Sequence, residues 1–141
     1  MTITHAELGT GTVGDAMTPG VLTCLPVTPL RTVARMMARH QVHAIVVFGQ
    51  DDRLHPWGVV SDLDLVGAIG TTGNAGSVAA SPVITATPDV SLEHAATLMA
   101  ENETTHLLIV SESGLPVGVL STLDVARAFA AEAGAEENGD V

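Results

Sequence analysis

The chain has 141 residues, 46% of them hydrophobic and 15% charged, which is enough apolar material to bury a core and too little charge for global disorder. Five basic residues stand against 16 acidic ones, a formal net charge of −11 with the histidines neutral. All five are arginines and the acid excess is spread along the sequence, so the basic patch that would attract nucleic-acid phosphates is missing.

No positive charge precedes Arg31, and the first thirty residues lack an apolar block of signal-peptide length, so a cytoplasmic protein is expected. The longest apolar runs, such as Ala44–Phe48, fall far short of the roughly 18–20 residues that span a bilayer, and no membrane partner is expected. Residues 1–12 read as a flexible lead. Within and after it, Gly9-Thr10-Gly11-Thr12-Val13-Gly14 matches G-x-G-x-x-G. A dinucleotide turn would need a strand before it, a helix after it and an acid about 20 residues on, where Ala34 and Arg35 stand, and the sequence offers none of these.

From there the chain repeats itself. Val21-Leu22-Thr23-Cys24-Leu25-Pro26 recurs as Val83-Ile84-Thr85-Ala86-Thr87-Pro88, a displacement of 62. The same displacement carries Leu30, Val33, Ala34 and Met37 onto Leu92, Ala95, Ala96 and Met99, positions i, i+3, i+4 and i+7 of a helix with one apolar stripe. Thr28-Pro29 is expected to supply an N-cap and a first-turn proline, and Ser91 the cap of the second copy. Each helix is followed by an apolar, β-branched run (Ala44–Phe48, Leu107–Val110), a turn, and a second run (Gly58–Ser61, Gly118–Ser121). The displacement of these second runs is 60, so two extra residues sit in the first hairpin loop, 49–56. Amphipathic segments Asp62–Ile69 and Thr122–Ala131 close the copies.

The predicted fold is α/β (α+β), two βαββα units: 13–69, a Gly/Thr/Asn linker at 70–76, and 77–131. The acidic tail 132–141 has too few apolar residues to pack and is expected to be disordered. A unit of about 55 residues is marginal alone. The two are therefore expected to pack sheet against sheet about a pseudo-twofold axis, helices outside.

The chemistry concentrates where the last strand of each copy meets its closing helix, at Gly58-Val59-Val60-Ser61-Asp62-Leu63-Asp64 and Gly118-Val119-Leu120-Ser121-Thr122-Leu123-Asp124. Ser followed three residues later by Asp is a capping box, which needs no ligand. The same groups could instead face a phosphate and accept hydrogen bonds from ribose hydroxyls. Arg31, Arg35 and Arg39, at i, i+4 and i+8, form either a solvated face or a phosphate clamp; the aligned residues of the second copy are Glu93, Thr97 and Glu101. His106 is either a strand-edge residue or part of the cleft lining. His40-x-x-His43 offers two of the three or four ligands a metal site needs, so no metal is expected. Cys24 cannot form an internal disulfide and reads as a small buried side chain, and Trp57 as strand packing. Ser61 and Ser121 sit in no nucleophile elbow, and Asp62 and Asp64 lack a substrate geometry, so no enzyme is expected.

Asp15-Ala16-Met17-Thr18-Pro19, the T-x-x-P steps Thr23–Pro26 and Thr85–Pro88, and the motifs Gly58…Ser61…Asp64 and Gly118…Ser121…Asp124 together carry a resemblance. The segment from about Val13 to Ala131, over 80% of the chain, resembles a tandem pair of CBS (cystathionine-β-synthase) domains, a Bateman module. The resemblance implies that Asp64 and Asp124 bind ribose and that Ser61 and Ser121 lie near phosphate. It also implies that residues around Thr23, Ile45, Thr85 and Leu107 line an adenine slot in clefts between the repeats. The implied ligand is AMP, S-adenosylmethionine or ATP, with the net charge favouring the first two; no cofactor is required. The implied protein is a homodimeric, disc-shaped regulatory module signalling to a protein effector in trans. Two short units also leave helical apolar surface uncovered, which itself predicts a dimer, with Met36, Leu98 and Phe129 beside the stripes as candidate contacts. The competing class is a dimerisation module that binds no nucleotide. Two departures stand out: Val46 and Leu108 replace a proline frequent in the middle strand, and Val78-Ala79-Ala80-Ser81-Pro82 stands where the second copy would repeat the opening motif.

Overall fold

In the first repeat an eleven-residue amphipathic helix packs on three short strands, and in the second a ten-residue helix packs on a sheet of four. The computed structural model describes residues 11–49 and 55–137. Two compact units result, one formed by Val21–Val83 and the other by the residues up to Gly20 together with those from Ile84 onward. The elements in chain order are α1 (Val13–Ala16), β1 (Thr18–Pro19), β2 (Thr23–Cys24), α2 (Leu30–His40), β3 (Ala44–Phe48), β4 (Pro56–Ser61), α3 (Asp62–Gly67), α4 (Ala75–Val78), β5 (Thr85–Ala86), α5 (Leu92–Glu101), β6 (His106–Val110), β7 (Pro116–Ser121) and α6 (Thr122–Glu137). Among the described residues no helix is long and apolar enough to cross a membrane.

In the Val21–Val83 unit, β2 runs parallel to β3 and β3 antiparallel to β4, giving the sheet order β2-β3-β4. The stripe of α2 packs on this sheet: Val33 and Met37 are buried with Ile45, Val47, Val60 and Ala75. The helix stops at Gln41, which takes the left-handed conformation (φ 54°), with Arg39 and His40 in the last turn where positive charge suits the helix dipole. Its first turn differs from the expectation by one residue. Pro29 is the N-cap, and the Thr28 hydroxyl instead accepts the Leu25 amide at 3.1 Å, closing the turn that leads into the helix. Trp57 is half-buried against the core and its carbonyl accepts the Ser81 hydroxyl at 3.1 Å.

The other unit carries the order β1-β7-β6-β5, with β5 parallel to β6 and the other pairs antiparallel. Its core is Val13, Ala86, Leu92, Ala95, Met99, Leu107, Ile109 and Leu120. Ser91 caps α5 by accepting the His94 amide at 3.0 Å, as the sequence indicated.

Spatial grouping cuts the chain differently from the sequence repeat. Helix α1 precedes the first repeat but is bonded to the second, with Val13 N–H donating to Val90 O at 2.8 Å and Gly14 N–H to Pro88 O at 2.9 Å. Helix α4 does the reciprocal: Ala75 N–H donates to Thr28 O and Gly76 N–H to Pro26 O, both at 2.8 Å. All four donors and acceptors are related by the displacement of 62, so the opening helix of each repeat completes the unit built by the other. The expected linker 70–76 therefore ends inside α4, whose N-cap Asn74 accepts the Ser77 amide. The lead is likewise held at its end: Leu92 N–H donates to Gly11 O at 3.0 Å, and Thr12 caps α1, a short helix that starts within the glycine-rich stretch, at Val13. The rest of the lead lies outside the described residues, as does 50–54 of the first hairpin loop. At the other end, α6 continues through 132–137, where composition had indicated an unpacked tail. Alanine and glutamate, which dominate there, are among the strongest helix formers. Residues 138–141 lie outside the described part.

Candidate functional site

Both Ser–Asp pairs form complete, reciprocal caps. Asp64 N–H donates to Ser61 Oγ at 3.1 Å while Ser61 N–H donates to Asp64 Oδ2 at 2.9 Å. In the second repeat the corresponding distances are 3.1 Å from Asp124 N–H to Ser121 Oγ and 2.8 Å from Ser121 N–H to Asp124 Oδ2. Each closing helix is also tied to the start of the middle strand: Asp62 N–H donates to His43 O at 2.9 Å and Thr122 N–H to Thr105 O at 3.0 Å. The capping interpretation is thus realised in both copies. It occupies Oδ2 only, and a carboxylate has two oxygens and about four lone-pair positions. Oδ1 of Asp124 lies 4.0 Å from Arg127 NH1.

Strand register decides which other residues can join these pairs, because directly paired residues point to the same face of a sheet. Ala44 pairs Ser61, Val46 pairs both Thr23 and Val59, and so Thr23 and Ser61 share one face of the first sheet. In the second, His106 pairs Ser121 and Leu108 pairs both Thr85 and Val119, which brings Thr85, His106 and Ser121 to one face. Thr23 and Thr85 are exposed, and Ser61 is buried. His106 Nδ1 lies 2.9 Å from the Thr105 hydroxyl. Its counterpart in the first repeat is Ala44, so a histidine stands beside the serine in one repeat only.

Ile45 and Leu107 are not brought to that face. They pair with Val60 and Leu120, one residue out of phase, and are completely buried in the cores beneath α2 and α5. The period of two in a strand sends alternate side chains to opposite sides, so the side chains of Ile45 and Leu107 lie on the face opposite Ser61 and Ser121. Val46 and Leu108, which stand at the proline position, share the face of Thr23 and Thr85.

Arg31, Arg35 and Arg39 belong to a helix that covers the face of the sheet opposite Ser61. Helix α2 packs on the Ile45 side of the sheet, and the row runs along its exposed surface, with Arg31 lining a groove between α2 and α3. Met36 and Leu98 pack against their own cores, while Phe129 is 53% exposed.

The two motif glycines have a packing reason that the sequence did not disclose. A Cβ on Gly58 would stand 2.8 Å from Ala80 O, and one on Gly118 2.6 Å from Thr18 O. Only glycine lets the segment after α4, or after α1, lie so close to the strand.

Cys24 is half-buried against the first core, and burial pushes its thiol above the ordinary range, partly opposed by a hydrogen bond with Thr28. His43 Nδ1 lies 3.0 Å from Asp62 Oδ2 in an exposed pair that the second repeat, with Thr105 and Thr122, lacks. Among the described residues no three His, Cys, Asp or Glu side chains are grouped to hold a metal.

Comparison with known proteins places this arrangement in context. Hypoxic response protein 1 of Mycobacterium tuberculosis is 30% identical over 122 residues, spanning 82% of this chain and 83% of that protein. The structure of the CBS domain protein PAE2072 from Pyrobaculum aerophilum complexed with AMP superimposes with a TM-score of 0.69 at 27% identity, covering 80% of this chain and 88% of that one. The CBS domain pair of protein MJ0100, solved with 5′-methylthioadenosine and S-adenosyl-L-methionine, shares the fold with a TM-score of 0.76 at 18% identity, covering 87% and 98%. The family model for the CBS domain matches twice, at residues 13–71 and 75–131, and with both repeats so matched the chain belongs to the CBS domain family.

Proposed function

We propose that this chain is a non-catalytic sensor module that reversibly binds an adenosine-containing ligand, AMP or S-adenosylmethionine before ATP, through Ser61–Asp64 and Ser121–Asp124. The observation that carries the reading is the duplicated Ser–Asp pair. In both repeats the cap spends one carboxylate oxygen and the sheet register sets an exposed threonine, Thr23 or Thr85, on the serine's face. A carboxylate oxygen is the acceptor that vicinal ribose hydroxyls need. The AMP complex of the 27%-identical Pyrobaculum protein supports the same ligand class. The module acts as a homodimer and passes the bound state to a protein effector in trans. Thermal melting with AMP, S-adenosylmethionine and ATP tests this, since a ligand at 100 times its Kd adds about 2.7 kcal/mol to the native state. A melting point unmoved by all three at millimolar concentration favours the dimerisation module that binds no nucleotide.

A further inference from the structure

The two sheet faces that present the Ser–Asp pairs correspond residue for residue but not in polarity. In the unit that carries β7, His106 pairs with Ser121, and the next rung of the ladder runs Thr18, Val119, Leu108, Thr85. In the Val21–Val83 unit, Ala44 pairs with Ser61, and the rung runs Ala80, Val59, Val46, Thr23. Ala80 joins it through two backbone hydrogen bonds with Val59, at 2.9 and 3.0 Å. Thr85 and Thr23 match. Thr18 and His106, by contrast, have the alanines Ala80 and Ala44 as counterparts at the displacement of 62. A third difference lies on the closing helices: Arg127 NH1 stands 4.0 Å from Asp124 Oδ1, and the displacement of 60 sets Gly67 in its place after Asp64. Every residue of each set belongs to one unit.

We propose that the two motifs select different ligands: Ser121–Asp124 takes an adenosine ligand that carries a phosphate, with His106 as the residue that selects it, and Ser61–Asp64 takes the nucleoside whether or not a phosphate is attached. The inference rests on the nucleotide reading stated above and divides the ligands between the motifs. Vicinal hydroxyls need an acceptor, and each motif supplies one in its aspartate. A phosphate needs donors and positive charge, and a carboxylate alone repels it. Among the residues of the two faces, the imidazole of His106 is the group that can both donate and carry charge. Cross-strand partners stand about 4.5–5.5 Å apart at Cβ, so a group hydrogen-bonded to the Ser121 hydroxyl is within reach of the ring. The ring is half-buried and anchored, with Nδ1 2.9 Å from the Thr105 hydroxyl. Arg127 offsets part of the Asp124 charge that would oppose a phosphate, and Thr18 adds a hydroxyl to the same face. Beside Ser61 a phosphate meets the methyl group of Ala44, with Gly67 at the arginine's position.

The test is calorimetric titration of the full chain with AMP and with adenosine, for the wild type, H106A and A44H. In the wild type, AMP is expected to bind one site at least about tenfold more tightly than the other, the ratio for hydrogen bonds to a charged group, while adenosine binds both alike. H106A is expected to bring the tight AMP site to within about threefold of the weak one. A44H sets a histidine beside Ser61 and is expected to tighten the weak AMP site at least about threefold. If H106A fails to fold, A44H decides, and a weak site that does not tighten overturns the proposal. A wild type that binds neither AMP nor adenosine at millimolar concentration overturns the nucleotide reading and this assignment together. Two equal AMP sites in the wild type, or a tight site that H106A leaves tight, overturns the assignment to His106 and leaves the nucleotide reading standing.

Discussion

Asp64 Oδ2 accepts the Ser61 amide at 2.9 Å while Ser61 Oγ accepts the Asp64 amide at 3.1 Å, so one short helix start holds both residues in place before any ligand arrives. Preorganisation of this kind lowers the ordering cost of binding. It also means that deleting either side chain disturbs stability and recognition together, and the informative variant is the one that keeps the cap.

Asp64→Asn retains an oxygen that can accept the Ser61 amide but removes the negative charge. Its melting point is expected to stay near wild type, while AMP affinity at that motif falls about five- to tenfold, the difference between charged and neutral hydrogen bonds. Asp64→Ala is expected to lose affinity and also about 1 kcal/mol of stability with the cap. Calorimetric titration beside thermal melting reads both. Equal AMP affinity in all three proteins would remove Asp64 from the ligand site.

Gly58→Ala and Gly118→Ala each drive a methyl group into a backbone carbonyl, at 2.8 Å from Ala80 O and 2.6 Å from Thr18 O. Overpacking of this order costs about 1–3 kcal/mol. Urea unfolding midpoints should drop for both, with Gly118→Ala at least as affected because Met17 Sδ lies 2.8 Å from the same added carbon.

Ile45→Ala and Leu107→Ala separate core from slot. Both side chains are fully buried in their units' cores, and truncation is expected to cost about 2–5 kcal/mol. Nucleotide affinity measured well below the melting point should hold. A selective loss of affinity with intact stability would return these residues to the ligand site.

Cys24 should alkylate slowly at neutral pH. The thiolate is the reactive form, and burial raises the pKa of this half-buried thiol, so its thiolate fraction at a given pH is below that of an exposed cysteine. The rate of iodoacetamide labelling, followed by mass spectrometry, should therefore keep rising at pH values above the pKa of an ordinary thiol. Rapid labelling at pH 7 would contradict the burial.

The repeat, the strand-helix-strand-strand-helix core of each copy and the Ser–Asp pairs were legible in the sequence, because each rests on local spacing: 3.6 residues per turn in Leu30, Val33, Ala34 and Met37, and a three-residue separation at each cap; the short elements α1, β1 and α4 were not. Neither were the long-range hydrogen bonds. That Val13 and Gly14 bond to Val90 and Pro88, and Ala75 and Gly76 to Thr28 and Pro26, is a choice between two identical docking sites, which repetition in the sequence leaves degenerate. The tertiary structure also decided the phase of the strands. Thr23 pairs with Val46 and leaves Ile45 in the core, a one-residue distinction that inverts the face of a side chain and that an apolar run such as Ala44–Phe48 does not encode. The arginine row was visible as a row. Its place on the side opposite the Ser–Asp face followed only from which side of the sheet α2 covers, which the burial of Val33 and Met37 against Ile45 and Val47 settles.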